Sequence, residues 1–195
     1  YGSTVDFEIT PNRSDCLSIT GLARETAACM DNDFKAPDMT LENECSGDIN
    51  SMIKVRIDTK NCNRYYARVV NDIKIEDSPW EMQKFLMEAG VRPINNIVDI
   101  TNFVMLELGQ PMHAFDYKSL EKADIIITDA EEGEKFTTLD GKERTLFADS
   151  LVIRDGDKSI GLGGIMGGEN SQIRDNTNVI MLEAANFNAS NIRST

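Results

Sequence analysis

The chain has few of the residues that most metal and disulfide sites require. Its 195 residues include one histidine and four cysteines, and no two cysteines form a C-x-x-C pair. The cysteines are Cys16, Cys29, Cys45 and Cys62. Zinc sites are usually built from closely spaced cysteine and histidine ligands, so this pattern argues against a metal site.

Long apolar runs are also missing. No segment approaches the roughly 20 consecutive apolar residues that span a bilayer, and no secretory signal pattern is present. We therefore expect a cytoplasmic protein with no membrane partner and with reduced thiols.

Positive charge is scarce as well. The chain has 20 Lys and Arg residues against 33 Asp and Glu residues, which gives a formal net charge of −13. A free-standing protein that coats nucleic acid needs a basic surface, because affinity comes largely from Lys and Arg at phosphates. Any nucleic-acid role must therefore use a local patch or a basic partner.

The hydrophobic pattern changes along the chain and indicates its organisation. Val5–Ile9 alternates like a strand, and a helix is predicted from about Cys16 to Met30. Residues 31–50 are acidic and aperiodic, which is typical of a linker. We therefore expect a single domain over 1–195, with a strand and helix in 1–30, a linker in 31–50 and a core in 51–195.

The core begins with helical signals and ends with strand signals. Ser78 is the expected cap of one helix, with Pro79 in its first turn and Glu81 completing a capping box. A second helix is expected between Asn95 and Gly109, followed by an irregular segment at 111–113. Period-two patterns predict strands at 51–58, 65–71, 125–128, 136–139, 143–146, 151–154, 159–166 and 179–186. This order predicts an α+β fold of layered β-sheets with helices packed on one side.

Five short segments of the sequence are more informative about function than the overall composition is. They are Ile9–Leu17 (ITPNRSDCL), Arg92–Asp99 (RPINNIVD), Gly109–Asp116 (GQPMHAFD), Gly161–Gly168 (GLGGIMGG) and Met181–Glu183 (MLE). In this order, and over essentially the whole chain, they resemble the editing domain of the beta subunit of bacterial phenylalanyl-tRNA synthetase. The resemblance implies a three-layer sandwich that hydrolyses the ester of tyrosine wrongly attached to phenylalanine tRNA.

The resemblance also implies partners and cofactors. It implies that the domain meets a tRNA acceptor end carrying an amino acid, and that the whole enzyme is a heterotetramer with an alpha subunit, using ATP and magnesium. For the domain itself we expect no cofactor and no metal. The family continues past the position of Thr195 with one wall of the pocket, so we expect an excised fragment, truncated at its C-terminus, that need not be active alone.

Glu183 is the candidate residue for reading the tyrosine hydroxyl. Tyrosine and phenylalanine differ by one hydroxyl, and a carboxylate that accepts its hydrogen bond would be left unpaired by phenylalanine. From the residue alone, an exposed strand-edge carboxylate is the commoner case. The resemblance implies the specific role instead.

His113 is the candidate catalytic residue. It is the sole side chain with an ordinary pKa near neutrality, although a lone loop histidine is more often structural. The resemblance implies that it lies at the pocket and positions the tRNA terminus or the attacking water. No serine or cysteine lies in a recognisable nucleophile motif, so direct attack by water is the expected mechanism.

The remaining candidates are substrate-binding residues. Five glycines in the eight positions 161–168 permit close approach of backbone amides to a ligand, or else serve a bulge or sheet corner. The resemblance implies that Gly163, Gly164 and Gly167 line the pocket, and that Arg92, Thr101 and Asn102 lie at or beside it. Thr101 and Asn102 could equally face solvent. The alternative function is a non-catalytic scaffold or RNA-contact module of the same synthetase.

The absence of a disulfide pattern generates a first prediction. All four cysteines should be free thiols, because nothing directs the chain to an oxidising compartment. Titration with a thiol reagent in denaturant, without reductant, should count four reactive groups per chain. Detection of a native disulfide in a lysate of cells with a reducing cytosol would contradict this.

Overall fold

The computed structural model describes residues 3–195 and contains four α-helices and ten strands in that range. The helices are α1 (Ile19–Cys29), α2 (Trp80–Glu88), α3 (Asn96–Leu108) and α4 (Ala189–Ser194). The strands are β1 (Lys54–Ile57), β2 (Cys62–Val70), β3 (Met112–Asp116), β4 (Asp124–Asp129), β5 (Lys135–Thr137), β6 (Glu143–Thr145), β7 (Leu151–Asp155), β8 (Lys158–Leu162), β9 (Met166–Gly167) and β10 (Ile180–Phe187). Short 3₁₀ helices lie at Ser14–Cys16, Ile49–Ser51, Tyr117–Ser119 and Glu169–Ser171.

The chain forms two compact units. The first combines the described part of Tyr1–Ser46 with Glu76–Met112 and contains α1, α2 and α3. The second combines Gly47–Ile75 with His113–Thr195 and contains the sheets. The α+β class is confirmed. The grouping of Glu76–Met112 with the N-terminal segment was not foreseen from the sequence, because it depends on contacts between distant parts of the chain.

Local signals fix the ends of the helices in the first unit. The Ser18 hydroxyl caps α1 by accepting a hydrogen bond from the Gly21 amide at 3.0 Å. The Asn95 side chain caps α3 by accepting from the Val98 amide at 3.0 Å. Gly109 ends α3 with a φ of +80°, a conformation that L side chains rarely adopt. The predicted bounds of α3 are therefore confirmed.

The predicted cap of α2 is wrong. Pro79, not Ser78, occupies the N-cap position, and no side chain caps the helix. Ser78 is buried and donates its hydroxyl to Asp99 Oδ2 at 2.6 Å. Asp99 Oδ1 accepts from the Ile94 amide at 2.8 Å. The buried carboxylate needs these donors, because burying a charge without partners is costly.

Three strand predictions are also wrong. The alternating segment Val5–Ile9 is not a strand, and Val5 and Phe7 are exposed. An alternating hydrophobic pattern is compatible with a strand, but a strand also needs a neighbouring strand to pair with, and the pattern does not provide one. The segment expected to be irregular begins β3, which pairs with β10. The single strand expected at 159–166 is divided into β8 and β9, which form an antiparallel pair.

The second unit contains three sheets. The largest has the strand order β1-β4-β7-β8-β9; β1 and β4 are parallel and the other neighbours antiparallel. The second has the order β2-β10-β3, and the third is the β5-β6 hairpin predicted from Asp140-Gly141. One core cluster joins side chains of the first two sheets, including Phe115, Ile127, Ile153 and Met181. The candidate site lies beside this cluster.

The cysteines are free, as predicted: Cys16 and Cys62 are buried, and Cys29 and Cys45 are exposed. Within residues 3–195, no helix has the length and apolar character needed to cross a membrane.

The Asp99 network generates a second prediction. Asp99→Ala should lower the free energy of unfolding by about 2–4 kcal/mol, because two donors lose a charged acceptor. Ser78→Ala removes one of these bonds and should cost about half as much. Urea denaturation followed by circular dichroism would measure both. The exposed Asp33→Ala is the control and should change stability by less than about 0.5 kcal/mol; an equally small effect for Asp99→Ala would contradict the assignment.

Candidate functional site

Glu183 is a buried carboxylate on the central strand of the β2-β10-β3 sheet. Its side chain is 7% exposed, and its partner in the register with β2 is Ala67. Alternate residues of a strand share a face, and the flanking Met181 and Ala185 belong to or pack against the core cluster. Glu183 therefore faces the core, and the alternative of a strand-edge carboxylate in water is wrong.

The partner of Glu183 is a phenol. The Tyr65 hydroxyl donates to Glu183 Oε2 at 3.0 Å, and both side chains are buried. Burial raises the pKa of Glu183 to about 7, and the hydrogen bond from Tyr65 opposes part of that rise. Burial and the adjacent carboxylate raise the pKa of Tyr65 well above its usual value. Tyr65 therefore remains protonated at neutral pH and acts as a donor.

His113 lies on β3 and is largely enclosed. Its ring contacts Phe115 edge-on, with the ring centroids 4.6 Å apart. Phe115 is fully buried in the core cluster, and residues two apart on a strand share a face, so His113 faces the same side of this sheet as Glu183. Burial lowers the pKa of His113 to about 4, so its imidazole is neutral at pH 7.

The glycine-rich segment forms the turn between β8 and β9. Gly164 has a φ of +69°, which favours glycine. A Cβ at Gly163 would lie 2.9 Å from the Leu151 side chain, and the Gly163 amide donates to the Leu151 carbonyl at 2.9 Å. That amide is therefore engaged in the sheet, and the sheet-corner alternative accounts for Gly163 and Gly164.

Gly167 has a different neighbour. A Cβ at this position would collide with His113 Nε2. The imidazole thus packs directly against the backbone of β9, and the second unit brings His113 and the glycine segment together.

The other three candidates lie in the first unit. Arg92 is exposed and precedes Pro93. Thr101 is buried on α3, and its hydroxyl donates to the carbonyl of Val98 in its own helix at 2.7 Å. Asn102, also on α3, is partly buried. The solvent-facing alternative is therefore wrong for Thr101, whose hydroxyl is satisfied locally.

Tyr65 is the site residue that sequence reasoning missed. Its position in an alternating strand predicted burial of one face of β2 but not which partner its hydroxyl would meet. The bond to Glu183 spans 118 residues along the chain. No local signal could have identified it.

One group of side chains has the composition of a cation site. Asp15, Cys16 and Glu25 lie together in the first unit. The Arg13 guanidinium forms ion pairs with both carboxylates, at 2.8 Å to Asp15 and 2.7 Å to Glu25. Arginine already supplies the positive charge there, so this group does not suggest a metal.

Comparisons with known proteins agree on one family. The family model described as the B3/4 domain matches residues 61–195. The phenylalanine-tRNA ligase beta subunit of Clostridium acetobutylicum is 53% identical over 189 residues, which are 97% of this chain and 24% of that protein. The corresponding subunit of Clostridium tetani is 50% identical over 191 residues, covering 98% and 24%. The chain thus spans about a quarter of the length of these relatives.

A solved structure agrees with the fold. An N-terminal fragment of the phenylalanyl-tRNA synthetase beta subunit from Pyrococcus horikoshii matches 92% of this chain and 54% of its own, with a TM-score of 0.53. Its sequence identity is 16%, so the likeness supports the fold alone.

The opposed pKa shifts generate a third prediction, about pH and stability. The folded pKa of Glu183 is raised, so its contribution to stability is full below pH 4.5 and is lost as the pH rises through about 7. The folded pKa of His113 is depressed, so its contribution is full above pH 6.5 and is lost as the pH falls through about 4. Each contribution is about 3 kcal/mol.

Unfolding free energies measured from pH 4 to 8 test both assignments. The stability of wild type relative to Glu183→Gln should fall as the pH rises from 4.5 to 7, because the glutamine cannot ionise. The stability of wild type relative to His113→Gln should instead rise from pH 4 to 6.5. Parallel curves for wild type and either variant would show that the substituted group does not titrate as described.

Proposed function

Because the chain belongs to the B3/4 domain family, we propose that it is the editing domain of a phenylalanyl-tRNA synthetase beta subunit. Its proposed reaction is hydrolysis of the ester that joins tyrosine to phenylalanine tRNA. The proposed partners are the aminoacylated acceptor end of the tRNA and, in the whole enzyme, the alpha subunit. ATP and magnesium belong to the synthetic reaction of that enzyme and not to the proposed chemistry of this domain.

The observation that carries this proposal is the hydrogen bond between Glu183 and a phenol. A buried carboxylate that accepts from the Tyr65 hydroxyl has the environment needed to accept from a tyrosine substrate. With phenylalanine in the same place, the acceptor would have no partner from the substrate. A polar group desolvated without its partner is penalised heavily, so such a site rejects phenylalanine far better than an apolar pocket rejects tyrosine.

His113 is proposed to position the reacting groups. A base with a pKa of about 4 is weak at neutral pH, which favours positioning of water or the tRNA terminus over proton abstraction. Its neutral imidazole can still donate and accept hydrogen bonds. The attacking group is proposed to be water, since no serine or cysteine of the chain lies in a recognisable nucleophile motif.

The other candidates are proposed to bind the remainder of the substrate. Arg92 is exposed and suited to a phosphate of the acceptor end. In the second unit, Gly163, Gly164 and Gly167 are proposed to line the pocket, with Gly164 the more exposed of the turn glycines. The binding roles of Thr101 and Asn102, in the first unit, stay predictions from the resemblance. Because the chain is acidic, most of the tRNA affinity would come from the rest of the synthetase.

Substitution of Glu183 tests the function. In the intact synthetase, Glu183→Ala should slow deacylation of tyrosyl-tRNA by about 10- to 150-fold, the loss expected for a hydrogen bond to a charged group. Glu183→Gln keeps the shape and one acceptor without the charge, so its defect should be smaller. Phenylalanine charging, at a separate site, should be almost unchanged. The assay follows release of labelled tyrosine from preformed tyrosyl-tRNA.

Glu169→Gln, an exposed change in the same unit, is the matched control and should retain the wild-type rate. If both Glu183 variants deacylate tyrosyl-tRNA at the wild-type rate, Glu183 does not recognise the tyrosine hydroxyl. Absence of deacylation even in the unmodified synthetase would favour the alternative of a non-catalytic scaffold or RNA-contact module.

A further inference from the structure

We propose that Tyr65 is a positioning residue for the editing reaction: its hydroxyl holds Oε2 of Glu183 and leaves Oε1 to accept the hydroxyl of the substrate. This inference rests on the proposed function. It assigns separate tasks to the two oxygens of one carboxylate, and it gives Tyr65 a part in specificity without contact with the substrate.

The two oxygens of Glu183 have different surroundings. Oε2 accepts from Tyr65 at 3.0 Å. Within residues 3–195, no side chain or amide donates to Oε1. Oε1 is therefore the oxygen of Glu183 that remains to accept a hydrogen bond from a ligand hydroxyl.

The Tyr65 ring is held in place by the core. Tyr65 is 8% exposed and belongs to the cluster that contains Cys62, Phe115 and Met181. An enclosed ring in a close-packed core cannot swing away at low cost. The carboxylate is thus fixed before a substrate arrives, which reduces the ordering cost of binding.

Tyr65 is also the group that favours the ionised form of Glu183. The titratable groups on the core-facing sides of the neighbouring strands are Tyr65 and Cys62 on β2 and His113 on β3. Burial keeps His113 neutral at pH 7, and burial raises the pKa of Cys62, so neither supplies a positive charge. The phenol donor therefore opposes the effect of burial on Glu183.

Loss of the Tyr65 hydroxyl should shift the pH dependence of deacylation to higher pH. A carboxyl group accepts a hydrogen bond from a substrate hydroxyl more strongly when it is ionised, so the deacylation rate should rise with pH through the pKa of Glu183. Without the Tyr65 donor that pKa increases, and a larger fraction of Glu183 is protonated at pH 7. The defect should accordingly be greatest at low pH and shrink at high pH.

The test is Tyr65→Phe in the intact synthetase, which removes one oxygen and keeps the ring. Deacylation of tyrosyl-tRNA is measured from pH 6 to 9, with spontaneous hydrolysis subtracted. The midpoint should move up by about one pH unit, the rate at pH 7 should fall about three- to tenfold, and the rate at pH 8.5 should approach wild type. Tyr66→Phe is the matched control, since Tyr66 is 63% exposed on the other face of β2.

The outcomes separate this inference from the proposed function. If wild type deacylates and Tyr65→Phe either has the wild-type profile or loses rate equally at every pH, the positioning role is wrong. If wild type does not deacylate tyrosyl-tRNA, the proposed function fails. NMR titration of the Glu183 side chain then tests whether Tyr65 controls its ionisation. An unchanged pKa of Glu183 in Tyr65→Phe would overturn the positioning role of Tyr65 as well.

A second variant covers failure of Tyr65→Phe to fold. A ring-fluorinated tyrosine at position 65 keeps the hydroxyl and makes it a stronger donor. The midpoint of deacylation should then move to lower pH, opposite to the effect of phenylalanine. A midpoint that stays at the wild-type pH would overturn the inference.

Discussion

The burial of one carboxylate in the middle of a sheet constrains the whole candidate site. Glu183 lies on the central strand of three, so its side chain must either face the core or lie on the opposite side of the sheet. Facing the core, it requires a donor, because burial of a charge without one is costly. Tyr65 provides that donor from the neighbouring strand. The electrostatics of the site thus depend on this hydrogen bond, and the register of β2 with β10 and the packing of the core hold its two partners together.

The same enclosed environment has opposite effects on the two titratable residues of the site. Burial disfavours charge, so it raises the pKa of the acid Glu183 and lowers that of the base His113. The result is a site with little net charge near neutral pH. A neutral imidazole and a partly ionised carboxylate suit recognition of a phenol and orientation of water better than strong acid–base chemistry.

Glycine has a packing function here that does not depend on ligand binding. Gly164 adopts a left-handed turn, and Gly167 allows the His113 ring to lie against the backbone of β9. The glycine density therefore follows from a tight hairpin packed against a histidine. Any contribution to substrate binding is made by a segment whose conformation the fold already requires.

The features that depend on residues close together in the chain were predictable from the sequence. These include the α+β class, the bounds of α3 between Asn95 and Gly109, and the β5-β6 hairpin, because caps and tight turns are formed by residues only a few positions apart. Contacts in the folded chain were needed to show that Val5–Ile9 forms no strand, that Ser78 bonds to Asp99, and that Glu183 is buried against a phenol. The two hydrogen bonds join residues 21 and 118 positions apart, and the N-terminal segment lacks a strand partner. Local periodicity predicts neither long-range partners nor their absence.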